Sequence, residues 1–233
     1  MDALRYSLSK GQNHLHCAEL YGAGYTNKVL GRAMAGFPRE DLYVTDMLWK
    51  TSVGKNQVRP AVEQILKNLG TSYLDLLYIH FPWEDANWRE AIPQIDELID
   101  EGIVRQFGVS NFAVVHMQEA QVLAKHPIAA NQMNFNVLYK DEVDVAFREF
   151  CTRCGIQIVA YQPIKRQAAL ENKTVQAIAA VHDATPAQVA LAWLIQMGAL
   201  PIPKATNKAH IDENLEAVNL VLTDKEIAKL EEL

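Results

Sequence analysis

The sequence predicts an α/β chain, a parallel sheet with helices laid over it. Seven short apolar runs recur along the 233 residues, segments with helical period lie between them, and no linker or low-complexity stretch interrupts the alternation. The runs cover 14–18, 42–48, 74–80, 105–111, 129–135, 157–164 and 200–205. They are rich in Val, Ile, Leu and Tyr and nearly continuous, as strands covered on both faces are.

The helical segments explain themselves in order. Residues 57–69 place Val58, Val62, Ile65, Leu66 and Leu69 on one face, and Gly70 follows as a C-cap. Residues 88–101 repeat the pattern with Ile92, Ile95, Leu98 and Ile99 before Gly102. A third helical run, 145–154, is closed by Gly155. Thr185-Pro186 reads as an N-cap followed by proline at the first helical position, leading into Ala190, Leu191, Leu194 and Ile195. Thr223 and Glu226 have capping-box spacing. An open doubly wound sheet would need a Gly-rich fingerprint after its first strand, and none is present. The expected architecture is therefore one domain over 1–233, a (β/α)8 barrel lacking its first strand. The two open edges of such a barrel would invite self-association.

Composition narrows the function. Twenty-two Lys+Arg against 28 Asp+Glu give a net charge of −6, and no basic block occurs. Nucleic acid and anionic membrane are not expected as partners. No apolar run approaches the roughly 20 residues that span a bilayer, and residues 1–6 carry no signal core. Three cysteines, an odd number without disulfide spacing, suit a reducing, cytoplasmic setting. Cys151 and Cys154 form a CxxC pair on a helical run, but no second Cys/His pair follows at ligand spacing. They read as buried small side chains, and no metal site is expected.

In a barrel of this kind the chemistry belongs at the carboxyl ends of the strands. There the sequence reads HLHCAELYGAG at 14–24, TDMLW at 45–49, YIHFP at 78–82, FGVSNF at 107–112, NQMNFN at 131–136, AYQPI at 160–164 and PIPKATNKAHIDENL at 201–215. In this order and spacing the motifs resemble the aldo-keto reductase superfamily over nearly the whole chain.

The resemblance implies hydride transfer from NADPH to an aldehyde or ketone. Tyr21 would give the carbonyl its proton and His80 would orient it. Ser110, Asn111 and Gln132 would hold the nicotinamide carboxamide, with Tyr161 stacked on the ring. Lys204, Ala205, Thr206, His210, Glu213 and Asn214 would bind the adenosine and its 2′-phosphate. His210 stands where the family often has Arg, so a preference for NADP rests on Lys204, with NAD the alternative. Trp49 and Trp83 are candidates for the substrate-pocket wall.

Two catalytic positions depart from the family pattern. His16 replaces the Asp of Asp-Thr-Ala-x-x-Tyr, and Met47 replaces the Lys of Thr-Lys-x-Trp. Removing one member of a buried ion pair strands the other charge, whereas removing both is nearly neutral, so the two changes read as paired. Glu19 and Asp46 are the nearby carboxylates that could stand in. A free imidazole titrates near pH 6.5, so His16 is expected to become a cation beside Tyr21 in mild acid and to raise the reduction rate there. Three functions compete: a reductase with weakened catalysis, a degenerate nucleotide-binding or interaction protein on the same scaffold, and a lyase or isomerase using His80 and His16.

Overall fold

The computed structural model describes residues 1–165 and 168–233. They form two compact units, Met1–Asn131 and Gln132–Leu233. The first unit contains helix α1 (Asp2–Ser9), strand β1 (His14–His16), α2 (Tyr25–Met34), β2 (Tyr43–Leu48), α3 (Val58–Leu69), β3 (Leu76–Ile79), α4 (Ala91–Asp100), β4 (Phe107–Ser110) and α5 (Val114–Leu123). Strand β5 (Ile128–Asn134) carries the chain into the second unit. There follow α6 (Val145–Cys154), β6 (Gln157–Tyr161), α7 (Ala168–Glu171), α8 (Lys173–Val181), α9 (Pro186–Gln196), β7 (Leu200–Pro201), α10 (Lys208–Glu216) and α11 (Asp224–Glu231).

All seven expected strands form, and they follow one another through the sheet in sequence order. Pairing is parallel in β1–β2, β2–β3, β3–β4 and β6–β7. The architecture is the seven-stranded α/β repeat anticipated from the apolar runs. Strands β1 and β7 stand at the ends of that order. Several strands are shorter than their apolar runs, for local reasons. Strand β7 stops at Pro201 because prolines 201 and 203 have no N–H to donate, and Ile202 N to Ala160 O at 3.0 Å is its last bond. Strand β6 stops at Tyr161 because Gln162 turns to φ 51° and Pro163 follows.

The helix ends obey their sequence signals. Gly70 and Gly155 close α3 and α6 at φ 70° and 68°. Both capping boxes are complete, Thr185 with Gln188 on α9 and Thr223 with Glu226 on α11. Gly31 lets α2 lie directly on α3: a Cβ there would stand 2.3 Å from the Leu69 carbonyl oxygen.

Parallel register sorts the side chains of the first unit onto two faces. His16 pairs with Thr45, and Met47 with Tyr78, which pairs in turn with Gly108. His14, His16, Thr45, Met47 and Tyr78 therefore share one face. Leu15, Cys17, Val44, Asp46, Leu48 and Leu77 share the other, where α2 and α3 supply buried Leu30, Ala33, Val58, Val62 and Ile65.

At the amino ends of β2 and β3 this unit carries a buried ion cluster. Asp75, 3% exposed, accepts from the Val44 N–H at 2.9 Å, from Arg39 at 2.8 Å and from Arg105 at 2.9 Å. The Tyr73 ring lies against both guanidinium groups, 3.8 Å from Arg39 and 4.0 Å from Arg105. Among the described residues no single helix is long and apolar enough to cross a membrane.

Candidate active site

The site in the first unit is assembled where β1, β2, β3 and β4 end. After His16 the ladder runs on for two more bonds, Cys17 N to Thr45 O at 3.0 Å and Glu19 N to Met47 O at 3.3 Å. The chain then turns sharply. Tyr21 N donates to Ala18 O at 2.9 Å, and Gly22, Ala23 and Gly24 all take left-handed φ of 57°, 50° and 81°. Two of those three positions are glycine, which bears that conformation without penalty. The turn leaves the Tyr21 side chain 43% exposed at the head of α2.

Polar bonds tie this loop to its neighbours. Glu19 accepts from the Trp49 N–H and from Ser52 Oγ, joining the β1 and β2 loops. Asn111, at φ 60°, donates from Nδ2 to the His80 carbonyl oxygen at 3.2 Å and to Ser110 Oγ at 3.0 Å, joining β4 to the β3 loop.

His80 sits in an aromatic nest. Its ring stacks on Phe81 at 5.0 Å between centroids and meets the edge of Trp49 at 5.2 Å; Trp49 in turn meets Trp83 at 5.2 Å. Burial pushes the His80 pKa down to about 4, so the ring is neutral at physiological pH. Its Nδ1 is buried without a hydrogen-bond partner among the described residues. An orphaned lone pair costs less than an orphaned N–H, which places the hydrogen on Nε2.

The expectation that His16 becomes a cation in mild acid is overturned. Desolvation of the half-buried ring lowers its pKa, His14 and His80 both oppose a charge on it, and the value falls to about 3. Its Nδ1 lies 2.8 Å from Thr45 Oγ1, and Thr45 donates to Leu15 O at 3.3 Å. With that hydroxyl proton committed to a carbonyl, His16 carries its own hydrogen on Nδ1. Met47 is buried beside it on the shared face at 1% exposure. Positions 16 and 47 are therefore both filled by neutral groups.

Charge is found instead on the other face of β2. Asp46 is fully buried and accepts from Asn27 Nδ2 at 2.7 Å and from the Met47 N–H at 2.8 Å. Asn27 Oδ1 accepts from the Cys17 thiol at 2.8 Å. The N–H of Glu19 also favours the Asp46 carboxylate, but burial prevails and raises its pKa to about 7. Cys17 is pushed up to about 12 by burial and by Asp46, so it is a thiol and no nucleophile. Tyr21 is raised as well, by partial burial and then by Cys17 and Asp46, so its phenol is protonated at neutrality.

The remaining candidates lie in the second unit. Gln132 is buried on β5 and Tyr161 is the last residue of β6. Lys204, Ala205 and Thr206 follow β7. His210, Glu213 and Asn214 are spaced to share one side of α10, whose N-cap Asn207 accepts from the Ala209 N–H at 2.8 Å. In this unit Cys151 is buried and Cys154 partly so, both as free thiols on α6.

The model of the Aldo/keto reductase family matches residues 1–233. The chain belongs to this family. It is 32% identical to a 9,11-endoperoxide prostaglandin H2 reductase of Trypanosoma cruzi, covering 100% of this chain and 81% of that protein. It is 31% identical to a methylglyoxal reductase of Escherichia coli O157:H7, covering 95% and 83%. A thermostable aldo-keto reductase solved with the inhibitor epalrestat superposes with a TM-score of 0.95 at 33% identity, over 99% of this chain and 85% of that one. An aldo/keto reductase of Klebsiella pneumoniae, solved with NADP and acetate, gives 0.88 at 28% identity over 99% and 83%. Those neighbours agree with the α/β repeat and the ordered motifs.

Measured against the family pattern, three features of this member escape motif reading. Asn27 lies in no motif, and its place between Cys17 and Asp46 depends on the packing of α2. The tie from Glu19 to Trp49 joins residues 30 positions apart. The burial of Asp46 did leave a trace, a carboxylate inside an otherwise apolar strand run.

Proposed function

We propose that the chain reduces small aldehydes and ketones to alcohols with a hydride from NADPH, NADH being the alternative donor. The observation that carries this reading is the pairing of acid–base states at the ends of β1 and β3, on either side of β2. Tyr21 keeps its proton at neutrality, and His80 is neutral with its hydrogen on Nε2. A carbonyl oxygen placed against them would accept a hydrogen bond from the imidazole and a proton from the phenol. Trp49 and Trp83 give that position an apolar wall, which suits short oxoaldehydes of the kind named in the relatives' activities.

The cofactor residues fit a nicotinamide nucleotide on the chemistry each unit offers. In the first unit, Ser110 and Asn111 are held in fixed conformations at the end of β4 and suit a carboxamide. In the second, Gln132 and Tyr161 are the counterpart candidates. Exposed Lys204 and Thr206, just before the positive end of α10, suit the 2′-phosphate. The bound nicotinamide supplies the hydride; the protein supplies orientation and the proton.

Among the described residues no cation acts on Tyr21. The groups that act on Tyr21 are Cys17 and Asp46, and both make it a weaker acid. Turnover is therefore slow, and alcohol oxidation, which needs tyrosinate as base, is slower still. The same observation favours a second reading, a nucleotide-binding protein that no longer turns over.

Consumption of NADPH with methylglyoxal and a panel of small aldehydes separates the two. Under the reductase reading Tyr21→Phe abolishes the rate, and the double variant Met47→Lys with His16→Asp raises it by about 10²–10⁴-fold. A parent as fast as the double variant would overturn the account of those two positions. Binding of NADPH with no turnover in either protein would establish the second reading.

A further inference from the structure

Asp46 is not among the residues to which the family pattern gives a role, yet it is fully buried on β2 and bonded through Asn27 to Cys17, four residues before Tyr21. Its carboxyl accepts from Asn27 on α2 and from the Met47 N–H on its own strand, and the Met47 carbonyl oxygen accepts in turn from the Glu19 N–H of the loop that carries Tyr21, at 3.3 Å. Asn27 is itself buried and fully engaged, since its other amide atom accepts from Cys17 at the end of β1. This chain of contacts links β1, β2, α2 and the tyrosine loop through polar groups only.

We propose that Asp46 is a positioning residue for Tyr21: bonded through Asn27 to Cys17 at the root of the tyrosine loop, the buried carboxyl sets how readily the phenol releases a proton to the carbonyl. The inference rests on the reductase reading above.

The surroundings of Asp46 support it. From the end of β1 comes Cys17, held as a neutral thiol; from the loop come Glu19 and Tyr21; from α2 comes the uncharged Asn27. The buried residues of α3 are all apolar: Val58, Val62, Ile65, Leu66 and Leu69. On β3 the register partner is Leu77. Among the described residues no cation from these elements neutralises Asp46, and the carboxylate of Glu19 opposes its charge. Burial therefore decides, and the group titrates at about 7. His16 cannot supply this response, because its pKa lies at about 3. Below neutrality Asp46 is neutral and Tyr21 is the stronger acid. Above neutrality a buried negative charge opposes tyrosinate, and the phenol gives up its proton less readily. The exposed phenol regains its proton from water after each turnover.

The deciding experiment measures the tyrosine directly and the reaction separately. The Tyr21 titration is obtained from the ultraviolet difference between the parent and Tyr21→Phe, and is repeated in the Asp46→Asn background. The expected result is a Tyr21 midpoint lower by about one unit without the carboxylate, a tenfold stronger acid. The reduction rate of the parent is expected to fall several-fold between mild acid and mild alkali, with Asp46→Asn flat over that range. Asn27→Ala removes a donor to the ionised carboxyl, so it should move the parent's fall towards higher pH. An unmoved tyrosine midpoint in Asp46→Asn overturns the proposal whether or not the protein reduces carbonyls. So does an unchanged pH profile in Asp46→Asn. A moved midpoint in a protein that reduces no aldehyde leaves the coupling established and overturns the reductase reading alone.

Discussion

Two buried aspartates in the first unit are treated in opposite ways. Asp75, where β3 begins, meets two arginines and a backbone N–H, and Tyr73 covers both guanidinium groups. Asp46, near the carboxyl end of β2, is buried as deeply but meets only an amide and backbone N–H groups. A carboxylate with charge partners joins strand ends together. One without them gives up its charge near neutrality. Placement explains the contrast: the amino ends of parallel strands serve stability, whereas the carboxyl ends serve chemistry.

The comparison is broken most severely at Asp75. Asp75→Ala leaves two arginines facing a buried gap and the Val44 N–H without its acceptor, and should cost about 3–5 kcal/mol in urea unfolding. If the loss is no larger than for a surface substitution, the cluster does not hold the strand ends together.

Asp46 should show the opposite sign of effect. Its pKa rises from 3.8 unfolded to about 7 folded. Its contribution is therefore fully present below about pH 4 and is lost as pH rises through 7, on the order of 4 kcal/mol across the range. The half-buried histidines act the other way. With folded values of about 4, 3 and 4, His14, His16 and His80 withdraw stability as pH falls below 6.5. The difference between the parent and Asp46→Asn isolates the aspartate, and it should grow in favour of the variant from pH 5 to 8. A difference independent of pH would show that Asp46 is ionised throughout.

The smallest effect sharpens the comparison. The Arg105 side chain is 53% exposed and shares Asp75 with the more buried Arg39. Arg105→Ala should cost only about 0.5–1 kcal/mol, less than Arg39→Ala in the same denaturation series.

Much of this was legible in the residues. The strands announced themselves as apolar runs because a parallel strand is covered on both faces, and the helix ends through Gly70, Gly155, Thr185 and Thr223, whose local chemistry acts over a few residues. Tyr21, His80, His16 and Met47 could be picked out by their motifs. The state of His16 could not. Its expected titration near 6.5 assumed a solvated ring, and the shift to about 3 comes from burial beside His14 and His80 on the same face of the sheet.

What the sequence by itself determined is the order of strands and helices, the caps that end them, and which residue types stand at each strand end. Those properties depend on neighbours within a few positions. The tertiary structure decided which groups carry charge. Asp46 and Asp75 are the same residue type in neighbouring apolar runs, and nothing local distinguishes them. Two arginines, 36 and 30 positions away in the chain, reach one of them, and Asn27 of α2 reaches the other. The cost of burying a charge is set by those distant partners, so the protonation state of the site is a property of the folded packing.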